Sequence, residues 1–273
     1  MANCRFLVFI LCVIGGCAQS TRFKPTEDGS VTDLEMISQV DLSMVPDLSP
    51  SCVAHSLVFN GVDSYASIPF SSGINLAGTD FTVDLWVKLA SYAASQNRIS
   101  LLDLGAAYAG TDSRAWEVYI DSITHQFGFH EGGGANPQSD VPGNLAVPLH
   151  AWTHLAATFG VADQAVSLWV GGRAAGSGKF SFPILTGNAH YPLVMGRDSV
   201  ESVYFMNGAL SEVRLSSNVR YMAPFSPSPC FSTDASTVAL WHFDEAAGNM
   251  ISDATGKSSA GSLIDVTRSM DAP

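Results

Sequence analysis

Four groups of residues have the side chains for chemistry, and their spacing limits what each is able to do. Glu117 and Asp121 stand four apart in Trp116-Glu-Val-Tyr-Ile-Asp121, where apolar and polar residues alternate. On a strand, with a rise of roughly 3.3 Å per residue, their carboxylates are about 13 Å apart. That is too far for a retaining glycosidase pair at about 5 Å, and beyond the usual inverting range. His150 and His154 have the i, i+4 spacing of helical zinc motifs. On a strand they too separate by about 13 Å and do not share a tetrahedral ion. Gly256-Lys257-Ser258 ends like a phosphate loop, but Ile251 stands where its first glycine is required. No Gly-x-Ser-x-Gly elbow occurs. With no catalytic motif, the chain is expected not to be an enzyme. The fourth group is aromatic. Trp86, Tyr119 and Trp169 fall on the polar phase of their segments, where an exposed ring offers a sugar a stacking face and a loop-covered one simply packs.

The elements that must position these residues have a period of two. Phe81, Val83, Leu85 and Val87 alternate with Thr82, Asp84, Trp86 and Lys88, and Trp116, Val118 and Ile120 with Glu117, Tyr119 and Asp121. Leu155, Ala157 and Phe159 continue the pattern, as do Val166, Leu168 and Val170. Such alternation marks strands with one buried face. Asn60-Gly61, Gly132-Gly-Gly134 and Gly171-Gly172 separate them as turns. With 47% apolar residues, 24 Gly and 13 Pro in 273 residues, the chain is expected to be all-β, a two-sheet antiparallel sandwich or jelly roll. Only 13 Lys+Arg stand against 25 Asp+Glu, which argues against nucleic acid as a partner.

Phe6 to Ile14 is an apolar run, too short to span a bilayer but the size of a signal-peptide core. Ile14-Gly15-Gly16-Cys17 resembles the bacterial lipobox. The resemblance implies cleavage after residue 16 and acylation of Cys17, each acyl chain adding about 0.8 kcal/mol per buried CH₂. Ala18 in place of aspartate leans toward the outer membrane or cell surface. Gly16-Cys17-Ala18 also satisfies an ordinary export site, giving a secreted protein. Residues 17–50 are polar, acidic and interrupted by Pro25, Pro46 and Pro50, as a flexible tether is. The domain is expected over 51–265, with a tail at 266–273. Cys52 and Cys230 are the pair left outside the signal and its cleavage site. In an exported chain they read as a disulfide worth roughly 4–5 kcal/mol, or else as two free thiols.

The order of signals is similar to one family. Leu57-Val-Phe-Asn-Gly-Val-Asp63, Phe81-Thr-Val-Asp-Leu-Trp86, Trp152-Thr-His154, Ser167-Leu-Trp-Val-Gly-Gly172, Leu210-Ser-Glu-Val-Arg214 and Val238-Ala-Leu-Trp-His-Phe-Asp-Glu245 follow one another. Together they resemble the laminin G-like, concanavalin A-like (pentraxin-like) jelly-roll domain. The resemblance implies a binding module whose ligand is a glycan or glycoprotein, with membrane contact only through a lipid anchor. A protein-adhesion module and a polysaccharide-degrading enzyme are the rivals. It also implies a rim Ca²⁺ site, for which Asn60, Asp63, Asp244 and Asp253 supply oxygens if the first strand and the Val238 strand adjoin. The alternative is that Asn60 and Asp63 shape a turn and Asp253 an Asx-turn.

Overall fold

The computed structural model describes residues 55–93, 96–106, 114–132, 136–187 and 190–273. The signal and tether segments, Cys17 and Cys52 lie outside them. In chain order the first strands are β1 (Ser56–Asn60), β2 (Tyr65–Ile68), β3 (Phe81–Leu89), β4 (Arg98–Gly105) and β5 (Arg114–Asp121). Then come β6 (Gln126–Glu131), β7 (Ser139–Ala146), β8 (Thr153–Gly160), β9 (Ala165–Val170), β10 (Arg173–Lys179) and β11 (Leu193–Met195). The last are β12 (Asn207–Ser216), β13 (Thr237–Trp241), β14 (Met250–Ile251), β15 (Gly261–Ile264) and β16 (Thr267–Ser269).

They form two antiparallel sheets of eight strands. The first runs β10-β9-β8-β3-β12-β1-β16 with β13 also on β12, and the second β14-β15-β2-β11-β4-β5-β6-β7. The expected alternation holds on the inner faces. Phe81, Val83, Leu85 and Val87 of β3 are buried against Trp116, Val118 and Ile120 of β5 in a single apolar core. Phe81 meets Phe129 edge-on at 5.9 Å and Phe159 at 5.0 Å, a geometry that adds to plain area burial. The fold is therefore the two-sheet jelly roll that the period implied.

Two features of β12 decide where the loops converge. Glu212 has φ 48°, at a bulge between Ser211 and Arg214 in the pairing with β3. A bulge bends a strand and re-aims its side chains. On the other side of β12, Leu57–Asn60 pair with residues 207–210, whereas Trp241 pairs with Val213. β1 and β13 thus lie end to end along β12 rather than side by side. The chain end is fixed separately. Thr267–Ser269 pair with Val58–Ser56, and Asp271 takes Lys88 Nζ at 2.7 Å and Trp152 Nε1 at 3.2 Å. The sandwich continues to residue 271, past the boundary expected at 265, because Thr-Arg-Ser is a polar edge strand with no apolar phase to read.

Candidate functional site

The outer face of the second sheet carries a row of ionisable groups. Asp103 faces Glu117 across β4 and β5, Glu117 faces His130 on β6, and His130 faces Asp140 on β7. Arg98 binds Glu117 at 2.7 Å and Asp140 at 3.2 Å. Arg114 lies 3.2 Å from Asp103 and donates to Asp198 at 2.7 Å, while Ser199 Oγ donates to Asp103. Asp103, Glu117 and Asp198 have no exposed surface. Burial, with the charges of Glu117 and Asp198 close by, pushes the Asp103 carboxyl well above the ordinary carboxylate range. The fold therefore holds a proton on Asp103 more tightly than the unfolded chain does. Its stabilising effect is present below the ordinary carboxylate value and is lost as pH rises through the raised one. Asp103→Asn cannot titrate, so its melting temperature relative to wild type should climb steadily from pH 4 to pH 8. A difference independent of pH would mean that Asp103 ionises normally.

The outer face of the first sheet is roofed by the segment 217–231. Beneath it Arg214 grips the fully buried Asp84 through Nε at 3.1 Å and a second guanidinium nitrogen at 2.6 Å, and Tyr221 Oη donates to the same carboxylate at 2.7 Å. Burial alone would raise Asp84, but the His154 ring and Arg214 outweigh it and hold the carboxyl below its usual range. His154 is itself buried among Trp86, Tyr221, Phe225 and Phe231, each ring edge-on within 5.5–6.0 Å. It supports the roof, while His150 is exposed.

At the margin of this roof lies a groove of about 650 Å³. Asn144, Asp163, Ser167 and Ser177 supply its polar groups, and Trp169 and Tyr221 its aromatic ones. Trp169 packs edge-on against Phe225 at 5.8 Å and is 5% exposed. Its indole N–H has no hydrogen-bond acceptor among the described residues.

The expected site residues separate on this geometry. Of the three aromatics, only Trp169 reaches the groove. Trp86 is clamped by donating to Ser228 O at 3.0 Å. Tyr119 is buried, with the Arg98 guanidinium 4.0 Å over its ring. The guanidinium covers the Tyr119 ring, whereas Trp86 stays partly exposed with its indole edge held by the loop. The calcium donors do not fit an ion. Asn60 faces Asn207 while Trp241 faces Val213, which puts the first turn about 20 Å from the end of β13. Asn60 Oδ1 accepts from Val62 N, Asp63 N and Ser64 N, and its amide donates to Asp63 at 2.8 Å. Asp253 accepts from the backbone N–H groups of Leu240, Thr255, Lys257 and Ser258, leaving little for a cation. Asp244 is exposed. No metal-sized group of acidic, His or Cys side chains among the described residues includes Asp63, Asp244 or Asp253. Cys230 is disulfide-bonded. The acid row is assembled across strands. Its only sequence trace is a lone acid in each of several alternating segments.

Residues 60–223 match the model of the concanavalin A-like lectin/glucanase superfamily. The chain belongs to that superfamily. Among solved structures, this concanavalin A-like domain is similar to a proposed carbohydrate-binding protein from Bacteroides ovatus, at 16% identity and a TM-score of 0.57. The match covers 79% of this chain and 59% of that one, so the chain spans well under two thirds of its relative. It is also similar to the CBM40 module of the Ruminococcus gnavus IT-sialidase bound to α2,3-sialyllactose (16% identity, TM-score 0.47, 62% of this chain and 95% of that one). A third is the heptameric pentraxin of Limulus polyphemus (13% identity, TM-score 0.46, 62% and 79%). No curated protein matches the concanavalin A-like chain by sequence.

Proposed function

We propose that the chain is a non-catalytic carbohydrate-binding module, exported and anchored through an acylated Cys17, that holds a sugar in the groove beside Trp169. The observation that carries this reading is a groove whose wall joins Trp169 and Tyr221 to hydroxyl, amide and carboxylate groups. Sugar hydroxyls exchange water for Asn144, Asp163, Ser167 and Ser177, which line the groove. The volume is in the range of small-ligand sites, which are concave and combine an apolar wall with a few placed polar groups. Catalysis is disfavoured because Asp103 and Glu117, the cross-strand carboxylates, lie buried beneath Arg98 and Arg114. A Cys52–Cys230 disulfide fits the same frame: Ser211, beside Glu212 on β12, donates to His55 O at 2.7 Å, three residues beyond Cys52.

A glycan array followed by calorimetry on the best sugar tests the reading. Asn144→Ala should weaken binding about tenfold, the loss of one well-made hydrogen bond. Ser177→Trp, which plugs the groove from an exposed position, should abolish it. Sugar binding that both variants retain at full strength would remove the site from this groove. A partner held equally well after deglycosylation would make the module a protein binder instead.

A further inference from the structure

The bulge in β12 gathers metal-ligating atoms that the groove does not use. The Glu212 carboxylate accepts Phe231 N–H at 2.8 Å and lies 2.8 and 3.0 Å from His242 Nδ1. Cys230 completes the group, its sulfur, a Glu212 oxygen and a His242 nitrogen all lying within 4.8 Å of one another. Glu212 is buried, whereas Cys230 and His242 are half-buried, so the cluster has both a fixed floor and a way in. The left-handed backbone of Glu212 is a costly conformation for a residue with a side chain. Here it turns the carboxylate onto the two partners.

We propose that Glu212, Cys230 and His242 form a zinc site that becomes available when the Cys230 disulfide is reduced. The disulfide sulfur is a poor ligand, since it is the thiolate that binds metal. A dithiol reductant delivers two electrons and two protons, leaves Cys230 and its partner cysteine as thiols, and is itself oxidised to a disulfide. Zinc then displaces the Cys230 thiol proton, which passes to solvent, and takes His242 as a neutral imidazole bound at Nδ1 with its proton on Nε2. The ion takes Sγ, Nδ1 and one carboxylate oxygen, with water in the fourth place. Tetrahedral bonds of about 2.0–2.3 Å put such donors roughly 3.4–3.6 Å apart, so these side chains need only small shifts. The ion ties β12, the end of β13 and the segment through Cys230 together while the covalent tie is open.

The test uses the full chain with zinc chloride, with and without a phosphine reductant that does not itself hold zinc. Calorimetry should find one zinc site in the reduced protein only, and zinc should raise its melting temperature by several degrees through mass action. Cobalt(II) in the same protein should give a sulfur-to-metal charge-transfer band. Cys52→Ser, expected to leave Cys230 permanently free, should bind zinc without reductant. His242→Ala should weaken the reduced protein's affinity at least tenfold. Equal uptake by oxidised and reduced protein, uptake unaffected by Cys230→Ser, or no uptake by the reduced chain would each overturn the proposal. If Cys52→Ser does not fold, the reduced wild type decides.

Discussion

Arg214→Met should destabilise the domain by about 3–5 kcal/mol, because it leaves the Asp84 carboxylate buried without its cation. Asp84 has no exposed surface, and Arg214 supplies two of its hydrogen bonds at 3.1 and 2.6 Å. Arg214 also donates to Tyr221 Oη at 3.1 Å and lies 4.3 Å over the Phe231 ring, so its loss loosens the roof as well as the pair. At roughly 2–4 °C per kcal/mol for a domain of this size, the melting temperature should fall by about 10 °C. The double variant Asp84→Leu, Arg214→Met should recover most of that loss, since hydrophobic replacement of a whole buried pair is often neutral. Denaturant melts of the two variants separate the readings. If the single change costs under about 1 kcal/mol, Asp84 is not held ionised by Arg214.

Gly172→Ala should be the next most damaging small change. Gly172 has φ +73°, and a Cβ there would come 2.0 Å from the Phe225 carbonyl oxygen and 3.0 Å from Pro227 Cδ. The left-handed backbone alone costs a residue with a side chain about 1–3 kcal/mol. The carbonyl must move in addition, although Phe225 N donates to Gly172 O at 3.0 Å and fixes the two segments against each other. Gly171→Ala supplies the control. Its φ is +58°, with nothing within 4 Å of the added carbon, so it bears the backbone term alone. The alanine at 172 should therefore melt several degrees below the alanine at 171 and also bind sugar more weakly, because Phe225 would no longer seat Trp169. Equal melting of the two would show that the roof yields without cost.

The inner faces were legible in the sequence because alternation reports burial on one side, and Phe81, Val83, Leu85 and Val87 all point inward as the period requires. The same logic failed for Thr82 and Asp84, which are fully buried too. A segment more than 130 residues later covers them: Thr82 Oγ1 donates to Asn218 O at 2.7 Å. Trp86 and Trp169 share a polar phase in the sequence, but one is tied to the roof and the other borders its margin, and only tertiary structure distinguishes them. The acid row depends on register, which the irregularity between Ser100 and Leu102 resets. A strand read alone carries no such information. The calcium ligand set depends on the same kind of information. It required β1 and β13 to be neighbours, and the bulged β12 places them in line.

The pairing of β16 with β1 also has a mechanical consequence. Ser56, where the chain enters the sandwich, is paired with Ser269, where it leaves. Tension applied between these two ends would not load the hydrogen bonds of the pair together, as sliding would. It would open them one after another like a zip, starting at that corner, where Ser56 Oγ donates to Asp271 O at 2.6 Å. β16 would peel first, and with it the contacts of Asp271 to Lys88 and Trp152, while the groove beside Trp169 lies on β9, outside the peeled pair. A domain pulled at both ends would lengthen by its last strand before the strands around the Trp169 groove part.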